Sequence, residues 1–203
     1  MPFLTHQNRH ILFIHIPKTG GTAITEWMRS IGPVQLFSRG APRTFRTRAQ
    51  HLRNIDMAEL FAEDFFSYRF AIVRNPYDRI ASEYRFRCAR LHGNGQVVLT
   101  FSTWLDLNLQ RAFENPYHLD SHLRPQVDFV GSDVEIFRYE DGLETIRRQA
   151  AKAAGLPTGA PLTRALAVGQ EFGPDHWDLQ DRLMVSRHYA QDFEHFGYPL
   201  ITD

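Results

Sequence analysis

The sequence predicts an α/β fold with a central parallel sheet flanked by helices. Three short apolar runs, rich in β-branched and aromatic residues, predict buried strands at 11–16, 70–74 and 135–139. A segment with helical periodicity follows each run. This alternation is typical of parallel sheets, in which a helix connects each strand to the next.

Helical spacing of apolar residues defines the three helices. The first is predicted over 22–31, and its apolar face comprises Ile24, Trp27, Met28 and Ile31. The second is predicted over 76–89, where Pro76 suits a first helical position. The third is predicted over 140–154, and its apolar stripe comprises Leu143, Ile146 and Ala150.

Composition narrows the class of protein. The 203 residues carry 23 Lys and Arg against 23 Asp and Glu, which predicts one globular domain over 1–203 and argues against general nucleic-acid binding. The single cysteine, Cys88, excludes an internal disulfide and a Cys-rich zinc site. No apolar run approaches the roughly 20 residues of a membrane span, and the N-terminal segment lacks a signal-peptide pattern. We therefore expect a soluble, cytoplasmic protein with no transmembrane segment.

The polar and charged motifs of the sequence lie at the carboxyl ends of the predicted strands. HIPKTGG, RNPYDR and RYED each lie at or directly after a strand end. Parallel strands bring these ends to one edge of the sheet, where α/β proteins bind their ligands.

The first of these segments, HIPKTGGT at 15–22, is here called the glycine loop. Gly20 and Gly21 allow close backbone approach to a ligand and conformations closed to other residues. The amides from Thr19 to Thr22 open a helix, whose N-terminus favours an anion, and Lys18 adds a positive charge. The loop therefore predicts phosphate binding, although an ordinary strand–turn–helix connection also accommodates two glycines. The order of residues is not that of a Walker A motif, because the lysine precedes the glycine pair.

The second strand ends on Arg74, where a Walker B strand would supply an acid to Mg²⁺. An arginine there suits bidentate capture of phosphate. Ser82 shares a helix face with Arg79, so both are candidates to meet one anion. The alternative is structural: Arg74 in a salt bridge, an Arg79–Glu83 helix pair and Ser82 facing solvent.

Together these motifs resemble the sulfotransferases that use 3′-phosphoadenosine 5′-phosphosulfate (PAPS), in particular the carbohydrate type and its small bacterial relatives. HIPKTGGT and VRNPYDRIASEY are the specific pair. HLRPQ at 122–126, FRYED at 137–141 and YAQDFEHFGY at 189–198 agree with it. The resemblance covers about 10–198 and implies a P-loop-like, three-layer α/β fold with a central parallel sheet.

The resemblance also implies roles for individual residues. The residues that match the loop holding the 5′-phosphosulfate are Pro17, Lys18, Thr19, Gly20, Gly21 and Thr22. Arg74 and Ser82 match the pair that holds the 3′-phosphate. His51 lies where the carbohydrate enzymes often place a histidine base.

The implied reaction is in-line sulfuryl transfer to a hydroxyl group. We expect His51 to take the acceptor proton, because an imidazole titrates near working pH. Lys18 and the loop amides would stabilise charge on the leaving phosphate oxygen of PAP, the product. No metal is needed for this chemistry. Glu26 and His122 are the alternatives to His51 as base.

The acceptor site is predicted from fewer motifs than the donor site. Six arginines and no acidic residue occur between Trp27 and Ile55. These arginines either face an acidic acceptor or form a solvated surface. The candidate acceptor-site residues are Arg48, Arg53, His118 and His122. The two histidines are four apart, a spacing also seen in metal sites, but acceptor lining or plain packing is the favoured interpretation. The resemblance favours a carbohydrate hydroxyl as acceptor.

Two other functions remain open at this stage. A P-loop kinase would share the strand–loop–helix arrangement, and it would bind ATP–Mg²⁺ without preferring PAP. A non-catalytic nucleotide-binding module would bind PAP and transfer nothing.

Overall fold

The computed structural model describes residues 1–37, 46–159, 161–162 and 172–201. The chain divides into two compact units, each made of two segments. The first unit combines Met1–Arg74 with Asp128–Ala165, and the second combines Asn75–Val127 with Leu166–Asp203. The single domain expected over 1–203 remains a prediction.

The first unit contains a five-stranded sheet with the order β3-β1-β2-β4-β5. Its strands are β1 (Phe3–His6), β2 (Arg9–Ile14), β3 (Val34–Gln35), β4 (Tyr68–Val73) and β5 (Glu135–Arg138). β2, β4 and β5 are parallel, whereas β1 is antiparallel to both of its neighbours. Four strands therefore point one way and β1 the other. The predicted α/β fold with a central parallel sheet is confirmed, and the structure adds the antiparallel strand β1, which was not predicted.

The reversed strand arises from a tight hairpin. Gln7 and Asn8 connect β1 to β2 with φ values of 49° and 61°, and His6 pairs with Arg9 across the turn. Two consecutive positive φ angles are typical of the type I′ turn that joins antiparallel strands.

Eight helical segments occur among the described residues: α1 (Gly21–Ile31), α2 (Asn54–Leu60), α3 (Pro76–Gly93), α4 (Phe101–Glu114), α5 (His118–Ser121), α6 (Leu143–Ala154), α7 (Leu179–His188) and α8 (Ala190–Phe196). Short 3₁₀ turns occur at Ala49–His51, Tyr139–Asp141 and Pro174–His176. All three predicted helices are present, and the third starts later than expected because Tyr139–Asp141 forms one of these turns. No helix in the described part of the chain has the length and apolar character needed to cross a membrane.

The core of the first unit lies between the sheet and two of its helices. α1 and α6 pack on one sheet face, and the core includes Ile11, Phe13, Ile24, Trp27, Met28, Phe70, Ile72, Phe137, Ile146 and Ala150. The alternate strand residues, Leu12, Ile14, Ala71 and Val73, are also buried. Burial on both faces explains why these strands read as continuous apolar runs.

The second unit is helical in its described part. α3 begins after Asn75, whose side chain accepts a hydrogen bond from the Tyr77 amide, with Pro76 in the first turn. Thr100 caps α4 in the same way by accepting from the Thr103 amide. The hydroxyls of Tyr77 and Ser186 are 2.6 Å apart and join α3 to α7.

Candidate functional site

The glycine loop lies between β2 and α1 in the first unit. Gly20 is the N-cap of α1 with φ 85°, and no side chain caps the helix. The first turn of α1 contains no acidic residue. No side chain of the described residues therefore caps the first amides of α1, and an N-terminus of this kind is suited to bind an anion.

Lys18 has an unusual backbone conformation. Its φ is 71°, in the left-handed region that non-glycine residues rarely adopt. Its carbonyl accepts a hydrogen bond from Arg74 Nη1 at 3.4 Å. The side chain of Lys18 is half-buried, and Pro17 before it is buried. Arg74 and the loop lysine are thus brought together.

The two threonines of the loop differ. Thr19 is fully buried, and its hydroxyl donates to the Ile16 carbonyl at 2.9 Å. That bond uses its only donor hydrogen. Thr22 is exposed on the first turn of α1, so its hydroxyl is the better placed of the two to meet a ligand.

The two loop glycines serve different purposes. Gly20 needs its left-handed φ, and a β-carbon there would lie 2.7 Å from methyl carbons of Leu143. Gly21 has no positive φ; a β-carbon there would lie 2.1 Å from the ring of His15. Packing against His15 is thus a second reason for a glycine at position 21, and its close approach to a ligand stays a prediction.

Arg74 follows β4 directly and stacks on an aromatic ring. Its guanidinium carbon lies 4.3 Å from the ring centroid of Tyr139, in the first position after β5. A cation over a ring face is an attractive arrangement that also fixes the guanidinium plane. The sequence analysis placed RYED at this edge of the sheet but did not identify Tyr139 as a contact of Arg74. The position of Tyr139 directly after a parallel strand could have indicated it.

In the second unit, Ser82 lies half-buried on α3. Arg79 on the same helix is fully buried and donates to the carbonyls of His122 and Arg124. The hypothesis that Arg79 meets an anion was therefore wrong. The alternative Arg79–Glu83 pair was also wrong, because Glu83 contacts Arg87 and His122 instead.

His51 ends the 3₁₀ turn Ala49–His51 of the first unit and is buried, with 3% of its surface exposed. Its Nε2 is 3.1 Å from the amide nitrogen of Gln50. The His51 ring also meets His15 edge-on, with centroids 5.3 Å apart. His15, the first residue of the glycine loop, thus lies next to both the proposed base and Gly21 at the other end of the loop.

The arginine candidates for the acceptor site are only partly described. Arg53 is held by Asp56, with Nη2 and Nε at 2.7 and 3.1 Å from its carboxylate oxygens. This bidentate pair gives Arg53 a local structural role at the start of α2. Arg48 is half-buried, whereas Arg39 and Arg43 lie outside the described residues.

The histidine candidates are both hydrogen-bonded within the second unit. His118 Nε2 lies 2.8 Å from Asn108 Oδ1. Burial, and then the charges of Arg111 and Arg87, lower the pKa of His118. His122 Nδ1 lies 2.8 Å from Glu83 Oε2. The sequence analysis considered the Glu83 carboxylate as a partner of Arg79 and did not predict its contact with His122.

A model of the sulfotransferase family matches residues 1–199. The chain belongs to the sulfotransferase family. Comparison with curated proteins found no match, and comparison with solved structures found none either.

The match covers nearly the whole chain. It identifies a transferase that acts on a hydroxyl-bearing acceptor, and it displaces the P-loop kinase interpretation. The sulfotransferase fold is the α/β arrangement described above. Family membership leaves the donor, the base and the acceptor to be assigned from the residues.

Proposed function

We propose that this sulfotransferase moves a sulfuryl group from PAPS to a carbohydrate hydroxyl and releases PAP. The observation that carries the proposal is the uncapped start of α1 beside Lys18, whose carbonyl accepts a hydrogen bond from Arg74. Helix amides, a lysine and an arginine form a donor set suited to a ligand with several anionic groups. The residues of the first unit therefore fit a phosphorylated nucleotide donor.

Each donor-site residue has a proposed task. Lys18 and the amides of Gly20, Gly21 and Thr22 bind the 5′-phosphosulfate, with Pro17 and Thr19 shaping the loop. Arg74, stacked on Tyr139, binds the 3′-phosphate. Ser82 is proposed as the second 3′-phosphate ligand on the family resemblance alone.

The mechanism depends on positioning and charge. In-line transfer requires the acceptor hydroxyl opposite the sulfur–oxygen bond that breaks. His51 takes the hydroxyl proton as the general base. Lys18 and the helix amides stabilise the charge that develops on the phosphate oxygen as it leaves. The proposed steps use no metal ion.

For the acceptor site we retain Arg48, Arg53, His118 and His122 as candidates. The Asp56 partner makes Arg53 the weakest of these. We also propose that both units form one sulfotransferase domain, because the family model extends over both.

Ligand-induced stabilisation tests the donor site. A ligand that binds the native state raises its melting temperature, so we expect a clear shift with PAP and smaller shifts with ADP, AMP or ATP–Mg²⁺. Arg74→Ala should lose the PAP shift. The matched control is Arg69→Ala at the other end of β4, where Arg69 pairs with Asp133; it should keep the shift. A shift with ATP–Mg²⁺ and none with PAP would contradict the proposal.

Transfer is tested with radiolabelled PAPS and an acceptor panel: a neutral N-acetylhexosamine oligosaccharide, a uronate-containing oligosaccharide and a simple phenol. We expect turnover with at least one carbohydrate. A preference for the uronate would indicate that basic residues bind an acidic acceptor. Tight PAP binding without transfer to any member would indicate a non-catalytic nucleotide-binding module.

A further inference from the structure

The first unit contains a cavity at the edge of the sheet opposite the glycine loop. Its polar residues include Arg69, the second residue of β4, and Asp133, which lies two residues before β5 begins. The glycine loop and Arg74 instead follow the carboxyl ends of β2 and β4. From Arg69 to Arg74 an extended chain spans about 17 Å. The cavity is therefore separate from the proposed donor site, although all of its lining residues belong to the same unit.

The walls of this cavity are mainly apolar. Its volume is about 380 Å³, which falls in the range of pockets that bind small molecules. Met57 and Phe66, both buried, line it together with Ala58, Phe61 and Ala62. The rings of Phe61 and Phe66 meet at 63° with centroids 5.1 Å apart. Two rings in this edge-to-face arrangement form a corner, against which a third ring packs favourably.

The aromatic corner is held by its neighbours. The ring of Phe3 on β1 meets both of its members edge-on, with centroids 5.6 Å from Phe61 and 5.5 Å from Phe66. The guanidinium carbon of Arg69 lies 5.5 Å from the ring centroid of Phe66. Walls that are fixed by packing need little ordering when a ligand binds, which favours affinity.

The charges at the cavity do not cancel. Two carboxylate residues, Glu63 and Asp133, accompany a single guanidinium residue, Arg69. Arg69 Nη1 lies 3.2 Å from Asp133 Oδ2, and Arg69 Nη2 donates to the Glu63 carbonyl at 3.0 Å. The guanidinium thus offsets the charge of Asp133, and the exposed Glu63 adds one negative charge. An excess negative charge beside apolar walls favours a cationic ligand.

A second contact holds Asp133 at the cavity. Asn54 Nδ2 donates to Asp133 Oδ1 at 2.9 Å. A β-carbon on Gly131 would lie 2.6 Å from this amide nitrogen and 2.9 Å from the carboxylate oxygen. Gly131 has no positive φ, so the requirement for glycine there is space for this hydrogen bond. The Asp133 carboxylate is therefore oriented by both Asn54 and Arg69.

We infer that this cavity is a second ligand site, which binds a small organic cation composed of an ammonium group and an aromatic body. The aromatic body packs against the corner of Phe61 and Phe66, and the ammonium group is attracted by the carboxylates of Glu63 and Asp133. The site goes beyond the proposed sulfuryl transfer and does not depend on it.

Titration with phenethylammonium tests the site, with protein labelled at the methionine methyl groups and observed by NMR. Met57→Leu identifies the Met57 signal, which we expect to move with a dissociation constant on the order of 1 mM, as for a very small ligand. The signal of Met28, which lies in the core beneath α1, should not move. Phenethyl alcohol and phenylpropionate have the same ring without the positive charge and should bind more weakly. A motionless Met57 signal, or an equal response to phenethyl alcohol, would overturn the inference.

Glu63→Gln tests the charge without changing the shape of the side chain. We expect it to weaken phenethylammonium binding about 2- to 5-fold, the range for an exposed ion pair. Glu59→Gln, at an exposed position on α2 outside the cavity lining, is the matched control and should retain wild-type affinity. Equal effects of the two changes would show that the cavity has no specific role in cation binding.

The double variant Glu63→Gln/Asp133→Asn leaves Arg69 as the one charged residue of the lining, so the preference should reverse from phenethylammonium to phenylpropionate. An unchanged preference for the cation would overturn the inference. Ala58→Phe, which fills the cavity, should weaken the binding of both probes. The PAP-induced shift in melting temperature should persist in all of these variants, so failure of the donor site and failure of this site are observed separately.

Discussion

The ring of His15 occupies the space that a β-carbon on Gly21 would fill, with ring atoms 2.1 Å from that position. His15 follows β2, and Gly21 begins α1, so this contact joins the two ends of the glycine loop. The same ring meets His51 edge-on. One side chain thus links the start of α1 to the proposed base.

We expect Gly21→Ala to destabilise the protein by about 1–3 kcal/mol, the usual cost of overpacking a buried position. The residue has no positive φ, so the cost is steric, and His15→Ala in the same chain should remove it. Chemical denaturation of the single and double variants measures the effect.

Gly93 on α3 is the matched control, because a β-carbon there meets nothing within 4 Å. Alanine at this position should be neutral or should stabilise by up to about 1 kcal/mol. If Gly21→Ala behaved like Gly93→Ala, the packing explanation would be wrong.

Tyr139 should contribute to donor binding through Arg74. Replacing the ring by leucine removes the face on which the guanidinium stacks at 4.3 Å. Such a contact contributes about 0.5–1 kcal/mol, or about a 2- to 5-fold change in affinity. Calorimetric titration with PAP should therefore show weaker binding to Tyr139→Leu and near wild-type binding to Tyr139→Phe. Equal affinities for all three proteins would argue against a role for the ring.

His51→Ala should lower turnover about 10²- to 10⁴-fold, the usual contribution of a general base. PAP affinity should change little, because the proposed donor contacts come from the glycine loop and Arg74. Initial rates with the acceptor panel, together with a PAP titration, separate the two effects. His195→Ala, an exposed histidine on α8, is the control and should retain wild-type rates. Unchanged turnover in His51→Ala would remove His51 from the mechanism.

The glycine loop was predictable because its chemistry is local. A buried apolar run, two glycines and a following helical segment occupy consecutive residues, so periodicity alone places Lys18 at the strand end. Arg74 was predictable for the same reason. The structure shifts these strands by about two residues toward the N-terminus, to Arg9–Ile14 and Tyr68–Val73, and leaves Arg74 just beyond its strand.

Other features depend on contacts between distant residues or on unusual turns. β1 was not predicted because Gln7 is not a typical residue for the type I′ turn that it forms with Asn8. Glu83 was expected to pair with Arg79 from its spacing on the helix. The fold instead supplies His122, 39 residues away, as the partner of Glu83, and helical periodicity carries no information about such a contact.

His118 should make stability depend on pH. Burial, and then the charges of Arg111 and Arg87, lower its pKa in the folded protein, while the unfolded chain keeps a value of about 6.5. The unfolded state therefore binds more protons as the pH falls below that value. The stabilising contribution is present above the unfolded pKa and is lost as the pH falls through the folded pKa.

Melting temperatures between about pH 7.5 and about pH 5.5, which bracket the unfolded pKa, measure this effect. We expect the wild type to lose more stability across the interval than His118→Gln, whose amide can still donate to Asn108 but does not titrate. His92→Gln, at an exposed position on α3, should retain the wild-type slope. If His118→Gln showed that same slope, the pH dependence would have to arise from other groups, and the lowered pKa of folded His118 would be wrong.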